Sequence, residues 1–154
     1  MIMKKFSIAI LLIIFVNTML NAGNNLFVTA FNIPVNNFTG IRVEKGITVI
    51  LQQGETAGIM VEKEEDKAAL NIRCNGNQLR LQKKPFSKDI TVYVTCTNLD
   101  KIRLCYDAKL ICNQLEGAQL ELIVDETAVL YLCGSVDLIK STTRNGIVNI
   151  TGNY

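Results

Sequence analysis

The C-terminal half of this sequence matches itself when it is shifted by about 18 residues. At that shift Ile102 falls on Leu120 and Leu138, and Gly134 falls on Gly152. A fixed period of about 20 residues with two short strands per repeat is the signature of a solenoid, because each coil buries its inner face only by stacking on its neighbours. The period therefore predicts three stacked coils, at about 99–116, 117–134 and 135–152.

Other positions repeat at the same shift. They are Leu104 with Leu122, Cys112 with Leu130 and Val148, and Leu132 with Ile150. Lys140 falls beneath Leu104 and Leu122 and interrupts the apolar ladder. Since terminal repeats are more polar than internal ones, a lysine in the last coil is compatible with the stack.

Apolar residues recur at every second position from Thr39 onward, as in Ile47, Val49 and Leu51, which is the period of a strand. Asn75-Gly76 between two alternating runs predicts a hairpin over residues 70–82. We therefore expect an all-β fold: a short parallel β-helix with coils of about 18 residues in the C-terminal half, and antiparallel hairpin elements in the N-terminal half. The alternative is a β-sandwich, whose strands also recur at regular short intervals.

The N-terminus has the pattern of a secretory signal peptide. Lys4 and Lys5 precede the apolar run Phe6 to Val16, and the small residue Ala22 follows. The run is well short of the roughly 20 apolar residues that a spanning helix needs, so a permanent membrane anchor is the weaker alternative. The predicted organisation is a signal peptide at 1–22, an N-terminal segment or cap at 23–37 and a single β-helix-like domain at 38–154. A leading strand at 29–33 is the alternative to the cap.

The predicted mature chain is electrically neutral. Two of the 16 basic residues, Lys4 and Lys5, lie in the signal peptide, and the others are matched by 14 acidic residues. Nucleic-acid binders usually carry a basic excess on one face, so no nucleic-acid partner is expected. The charge run Glu62 to Asp66 indicates a solvated loop or strand end.

The cysteine pattern does not indicate a metal site. The five cysteines are Cys74, Cys96, Cys105, Cys112 and Cys133. An odd number leaves at least one thiol without an internal partner, and neither CxxC spacing nor histidine is present. Several of the cysteines stand at alternating positions in apolar runs, which predicts small buried core residues rather than ligands. No metal and no cofactor is expected.

The only catalytic alternative among these residues is a polysaccharide hydrolase or lyase. Under the same shift Asp107 and Asp125 would stack, with Glu126 next to them, and paired carboxylates can hydrolyse glycosidic bonds. However, adjacent strand residues face opposite sides, and the sequence has no histidine base and no tryptophan to stack on a sugar. We therefore expect no enzyme and assign no catalytic residue.

Three stretches resemble a known family. They are Phe38 to Val43, Gly46 to Gly54, and Ile90 to Thr95 with Leu99. This pattern is similar to the opening of the family described as "putative autotransporter adhesin, head GIN domain", and the resemblance extends to Gly152. Among the corners, Tyr106 to Ala108 and Asp125 to Thr127 replace the family's usual glycine and serine, and only Asn145-Gly146 resembles the family's corners.

The resemblance implies a right-handed parallel β-helix and an exported bacterial protein of the periplasm, cell surface or extracellular space. It implies a non-enzymatic structural or binding module of adhesin type. The expected partner is a surface protein, a glycan or another copy of the chain, as in a homo-oligomer. The resemblance carries no functional residues with it.

Overall fold

The computed structural model describes residues 30–153, in which 11 strands and one short helix are found. The elements are β1 (Phe31–Pro34), β2 (Gly40–Val43), β3 (Ile47–Gln53), β4 (Gly58–Val61), α1 (Glu64–Ala69), β5 (Leu70–Asn75), β6 (Gln78–Lys83), β7 (Ile90–Cys96), β8 (Lys101–Leu104), β9 (Lys109–Asp125), β10 (Val129–Arg144) and β11 (Ile147–Asn153). The predicted all-β class is confirmed. The predicted signal peptide lies outside the described residues.

The strands join into one hydrogen-bonded sheet rather than the two sheets that the sandwich alternative requires. The order is β1-β4-β7-β3-β9-β8-β2-β6-β5, with β10 beside β9 and β11 beside β10. The pairs β1–β4, β4–β7 and β5–β6 are antiparallel, and the others are parallel. The long strand β9 pairs with β3 through residues 109–112 and with β8 through residues 121–124. The described residues contain no second sheet to cover the apolar face of this one, so the sheet curls, and the apolar core lies on its inner side.

Strand alternation decides which side chains enter this core. In β3, Ile47, Val49 and Leu51 are buried, whereas Thr48 and Ile50 between them remain partly exposed. Successive strand residues face opposite sides of a sheet, so this pattern gives each strand one inner row and one outer row. The same alternation runs through most strands, and it fixes the outer rows on which any ligand would lie.

The predicted shift is confirmed at the last strand pair. β8, β9, β10 and β11 pair in parallel, in the order of the sequence. Between β10 and β11 the neighbours are Leu130 with Val148, Leu132 with Ile150, and Gly134 with Gly152. Parallel pairing alone does not establish a solenoid of closed coils, so the β-helix stays a prediction.

Earlier in the chain the predicted register is wrong, because the shift there is longer by two positions. Ile102 lies beside Leu122 instead of Leu120, and Cys112 lies beside Leu132 instead of Leu130. Leu104, in the same way, lies beside Val124. An error of two positions does not change which side chains face inward, so apolar residues still coincided with apolar residues in the sequence comparison.

A bulge in β9 shortens the shift by one position farther along. There β9 advances from Cys112 to Leu115 while β10 advances only from Leu132 to Gly134. The register after the bulge thus differs from the predicted one by a single position, and such an error does reverse the face of every side chain. Leu138, which was predicted to join the inner ladder, therefore lies beside Gln119 and is 61% exposed.

Lys140 was predicted to lie beneath Leu104 and Leu122, and this position is also wrong. It lies beside Glu121, on the outer side of the sheet. The register after the bulge puts Lys140 on the opposite face from the one that the sequence period gives it. The lysine therefore does not interrupt the apolar ladder.

The N-terminal half contains the expected hairpin, which β5 and β6 form around Gly76, a residue with φ of +57°. A leading strand is also present, since β1 pairs with β4 at the edge of the sheet. The charge run predicted as a loop or strand end instead enters helix α1, with Glu64, Glu65 and Asp66 in its first turn. Acids at a helix N-terminus are stabilised by the partial positive charge there. Within residues 30–153 no helix has the length and apolar character needed to cross a membrane.

Three successive corners contain a non-glycine residue in left-handed conformation. Tyr106, Glu126 and Asn145 have φ of 58°, 55° and 60°. Hydrogen bonds link neighbouring corners: the Thr127 hydroxyl donates to the Tyr106 carbonyl at 3.4 Å, and the Glu126 amide donates to the Arg144 carbonyl at 2.6 Å. Stacking of corners therefore holds backbone geometry that glycine would adopt without strain.

Gly134 permits the close approach of two backbones at the bulge. A Cβ atom placed on Gly134 would lie 2.6 Å from the Leu115 nitrogen and 2.8 Å from the Leu115 carbonyl carbon. Gly152, beside Gly134 in β11, meets the Gly134 backbone in the same way. The glycines that match in the sequence therefore mark a line of tight backbone contacts.

We predict that Gly134→Ala lowers the free energy of unfolding by about 1–3 kcal/mol, as expected of overpacking against an immobile backbone. Gly58→Ala is the matched control, because a Cβ there meets no atom within 4 Å. That variant should be neutral or slightly stabilising. Urea denaturation of both variants measures the difference, and equal midpoints would contradict the contact.

Candidate functional site

The carboxylates of the hydrolase alternative do not stack as predicted. The pairing of Leu104 with Val124 puts Asp125 at the level of Cys105 rather than of Asp107. Asp107 accepts a hydrogen bond from the Gly46 amide at 2.8 Å, and Asp125 forms an ion pair with Arg103 at 3.6 Å. Both aspartates thus have partners within the fold. The stacking of the two aspartates was predicted from the shift of about 18 residues. It is wrong because the shift between β8 and β9 is longer by two positions.

All five cysteines are free thiols. The core prediction is confirmed for Cys96, Cys105 and Cys112, which are buried, whereas Cys74 is half-buried and Cys133 is exposed. Burial raises the pKa of Cys96 and of Cys112 to about 11, and it also raises the pKa of Cys105. Thiols that stay protonated at neutral pH are poor nucleophiles and poor metal ligands. Within residues 30–153 no three cysteine or acidic side chains are grouped so that they could hold a metal ion.

Four arginines form a row on the outer face of the sheet, one from each of four neighbouring strands. Arg73 in β5 lies beside Arg80 in β6, Arg80 lies beside Arg42 in β2, and Arg42 lies beside Arg103 in β8. We call these four residues the arginine row. With neighbouring strands about 4.8 Å apart, the row crosses three interstrand gaps and extends over about 14 Å.

Two carboxylates neutralise part of the row. The Glu44 carboxylate, in a residue that is 8% exposed, lies 2.7 Å from Arg42 Nε and 2.9 Å from Arg80 Nη2. Asp125 pairs with Arg103, as described above. Arg73 forms no hydrogen bond or ion pair with any residue of the described part of the chain. Four guanidinium groups facing two carboxylates leave the row with an excess of positive charge.

Not every N–H donor of these arginines is used within the fold. The Nε atoms of Arg80 and Arg103 are shielded from solvent and have no hydrogen-bond partner. The side chains of Arg42, Arg80 and Arg103 nevertheless remain 30–40% exposed. Each guanidinium group has five N–H donors, so the row has free donors available to a ligand on the outer face.

Lysines lengthen the basic surface next to the row. Lys101 precedes Arg103 by two residues in β8 and pairs with Glu121 at 2.9 Å, and Lys140 lies on the other side of Glu121. Together with Leu138 they border an open depression of about 400 Å³. The contact with Lys101 lowers the pKa of the Glu121 carboxyl. The depression is therefore a polar surface feature beside the row.

A second outer face carries aromatic and aliphatic side chains. Tyr93, Ile50, Ile111 and Tyr131 lie side by side across β7, β3, β9 and β10, and Tyr131 is 45% exposed. The Tyr93 hydroxyl donates to the Glu62 carboxylate at 2.6 Å. Burial, followed by this contact, raises the pKa of Tyr93 to about 12. This face is thus an apolar contact surface on the same sheet.

The sequence contained a signal for the arginine row that the charge count did not detect. Each arginine stands between two apolar residues on its strand, as in Ile41-Arg42-Val43 and Leu79-Arg80-Leu81. Ile72-Arg73-Cys74 and Ile102-Arg103-Leu104 repeat the triplet. Such a triplet in a strand puts the arginine on the outer face. Its recurrence indicated outward arginines, although only the strand order shows that they are neighbours.

The chain belongs to the family described as "putative auto-transporter adhesin, head GIN domain", whose sequence profile matches residues 37–154. The resemblance seen in the sequence is therefore confirmed. A comparison with curated proteins finds no match.

The fold is similar to solved crystal structures. Two are described as putative adhesins: one from Parabacteroides merdae, at a TM-score of 0.65 and 18% identity, and one from Parabacteroides distasonis, at 0.59 and 19%. A third, described as a putative lipid binding protein from P. distasonis, has a TM-score of 0.58 and 11% identity. Each match covers 80% of this chain and 57%, 61% and 66% of the other chain, respectively. The chain thus spans less than two thirds of these neighbours, and the likeness shows a shared fold.

The buried thiols predict an alkaline loss of stability. An unfolded thiol ionises near pH 9.0, whereas Cys96 and Cys112 keep their protons in the folded state up to a pKa of about 11. The folded state therefore binds more protons between these values, and the free energy of unfolding should fall as pH rises from 9 to 11. Denaturation at a series of pH values measures this slope.

Cys96→Ala with Cys112→Ala should flatten that slope, because neither alanine titrates. Cys74→Ala is the control, because Cys74 contributes to neither of the two raised pKa values. It should leave the slope unchanged. A slope that is equally steep in the double variant would show that other groups cause the alkaline loss.

Proposed function

We propose that the protein is an exported, non-enzymatic binding module of adhesin type, which contacts a protein, a glycan or another copy of itself. Membership of the head GIN domain family supports the proposal. The sequence supports export through its signal-peptide pattern at residues 1–22. The location would be the periplasm, the cell surface or the extracellular space of a bacterium.

The proposal extends to the architecture. Residues 38–154 would form a single domain whose C-terminal half is a short right-handed parallel β-helix, preceded by an N-terminal segment at 23–37. The parallel pairing of β8, β9, β10 and β11 in sequence order supports it, since neighbouring coils of a β-helix pair in this way.

The observation that carries the binding role is the arginine row. Like charges directly opposite each other on neighbouring strands are destabilising, by amounts up to about 1 kcal/mol for a cross-strand pair. Three arginine pairs follow one another here, at Arg73–Arg80, Arg80–Arg42 and Arg42–Arg103. Glu44 offsets the repulsion between Arg80 and Arg42, and Asp125 offsets part of it at Arg103, so the repulsion is reduced but not removed. A surface that opposes folding in this way is accounted for if a ligand uses it. The carbohydrate-active alternative has no comparable support, because its aspartates are engaged within the fold.

Self-association is a second candidate at one edge of the sheet. In the described residues β11 pairs only with β10, so its other edge is open. Ile147 at the start of β11 is 55% exposed. Open strand edges with apolar side chains favour pairing between chains. Light scattering over a range of concentrations tests this candidate, and a monomer at every concentration would contradict it.

We predict that purified residues 23–154 bind saturably to components of a panel of surface glycans and matrix proteins and convert none of them. Heat-unfolded protein is the control for non-specific adsorption. Asp125→Asn with Glu126→Gln should not abolish binding, although loss of the Asp125 charge frees Arg103 from its ion pair and raises the positive charge of the arginine row. Release of shorter sugars from any glycan, abolished by that double variant, would instead support the enzyme alternative.

A further inference from the structure

We infer that the ligand of the arginine row is a linear anionic polysaccharide, held through its carboxylate or sulfate groups. The inference rests on the proposed function, because an exported protein would meet such a ligand in the periplasm, at the cell surface or outside the cell. It goes beyond that function by naming the surface and the chemistry of the ligand. Its basis is the combination of the charge of the row, the spacing of its arginines and the side chains that surround them.

The charge of the row requires an anionic partner. Glu44 neutralises one positive charge between Arg42 and Arg80, and Asp125 neutralises one at Arg103. Arg73 has no partner among the described residues. An anion on the outer face would reduce the repulsion along the row and accept hydrogen bonds from exposed guanidinium donors.

The spacing of the row favours a polymer over a single ion. Its arginines leave the sheet at the interstrand distance of about 4.8 Å, so their side chains offer guanidinium groups at several points along one line. Acidic groups on successive sugars of a polyuronate or a sulfated glycan recur at comparable intervals. Once one acidic group of the polymer is bound, its neighbours are held close to the next arginines. Several weak contacts along one polysaccharide chain therefore strengthen its overall binding.

The remaining side chains of this face disfavour a single-stranded nucleic acid as the ligand. Beyond Arg103, the next positions on the same line across the sheet are Ile123 in β9 and Thr142 in β10. Gln78 and Lys101 lie in the neighbouring outer row, on either side of Gly40. Neither outer row includes an aromatic ring on which a base could stack, although base stacking supplies much of the affinity for single-stranded nucleic acids. Threonine, glutamine and a single isoleucine suit sugar hydroxyl and C–H groups.

The test measures binding of the folded chain to polygalacturonate and to heparin, which provide carboxylate and sulfate probes. Dextran is the neutral probe, duplex DNA is the phosphate polymer, and phosphatidylglycerol vesicles represent an anionic lipid surface. The variant is Arg73→Gln with Arg103→Gln. These positions leave Arg42, Arg80 and the nearly buried Glu44 intact, and circular dichroism checks the fold. Arg73→Gln alone serves as a second variant, because Arg73 is exposed and unpaired.

The matched control is Lys88→Gln with Lys109→Gln. Both lysines are exposed and lie outside the arginine row, and the change in net charge is the same. We expect both anionic polysaccharides to bind and dextran not to bind. Each lost guanidinium contact should weaken binding by about tenfold. The lysine control should change it less than twofold. The affinity of Arg73→Lys with Arg103→Lys should lie between that of the lysine control and that of the glutamine variant. The positive charges are kept, but the guanidinium fork that binds an anion in bidentate fashion is lost.

Several outcomes would overturn the inference. They are equal binding by the arginine variant and the lysine control, absence of binding to both anionic polysaccharides, and DNA or vesicles binding at least as tightly as those polysaccharides. If neutral glycans or matrix proteins still bind while the anionic polysaccharides do not, only this inference fails. If nothing in the panel binds, the proposed function fails as well.

Discussion

The fold depends on one constraint, which is that the two ends of β9 must pair with different parts of the same sheet. Residues 109–112 lie beside β3, and residues 121–124 lie beside β8. No second sheet covers this one in the described residues, so the sheet buries its apolar face by curling, and its inner side becomes the apolar core. Leu110, Leu122 and Leu130 are fully buried there. Because backbone groups pair with the neighbouring strands, no other layer is needed to satisfy them.

The same constraint determines the outer surface. Once parallel strands are aligned, alternate positions point outward in register, and any repeated residue type becomes a line across the sheet. The arginine row and the aromatic face of Tyr93 and Tyr131 arise in this way from strands that are distant in sequence. A chain whose acidic and basic residues nearly balance can therefore present one basic face. Glu44 limits the resulting repulsion because it lies between two of the arginines.

Sequence reasoning predicted the features that local patterns determine. Alternation predicted the strands, and Asn75-Gly76 predicted the hairpin. The repeat predicted parallel neighbours but not their register, because two shifts that differ by an even number of positions put the same residues inward. The bulge after Cys112 then reversed the face of Leu138. No local pattern encoded that bulge.

The functional surface was harder to predict than the fold. Each arginine could be placed on an outer face from its apolar neighbours, but their adjacency depends on the order β5-β6-β2-β8. That order joins strands from both halves of the chain. Nothing in the spacing of Arg42 and Arg103 indicates that their strands pair. Net charge, a sum over the whole chain, conceals a local excess of this kind.

The arginine row also affects how fast the chain reaches its native state. Arg42 and Arg103 become neighbours only when β2 pairs with β8, and contacts between residues so far apart in sequence are slow to form. Their repulsion is absent in an unfolded coil and appears during assembly. Dissolved ions screen such repulsion over about 10 Å at 0.1 M. Refolding should therefore accelerate as ionic strength increases, which gives the chain a salt-dependent folding rate even though its surface charges nearly cancel.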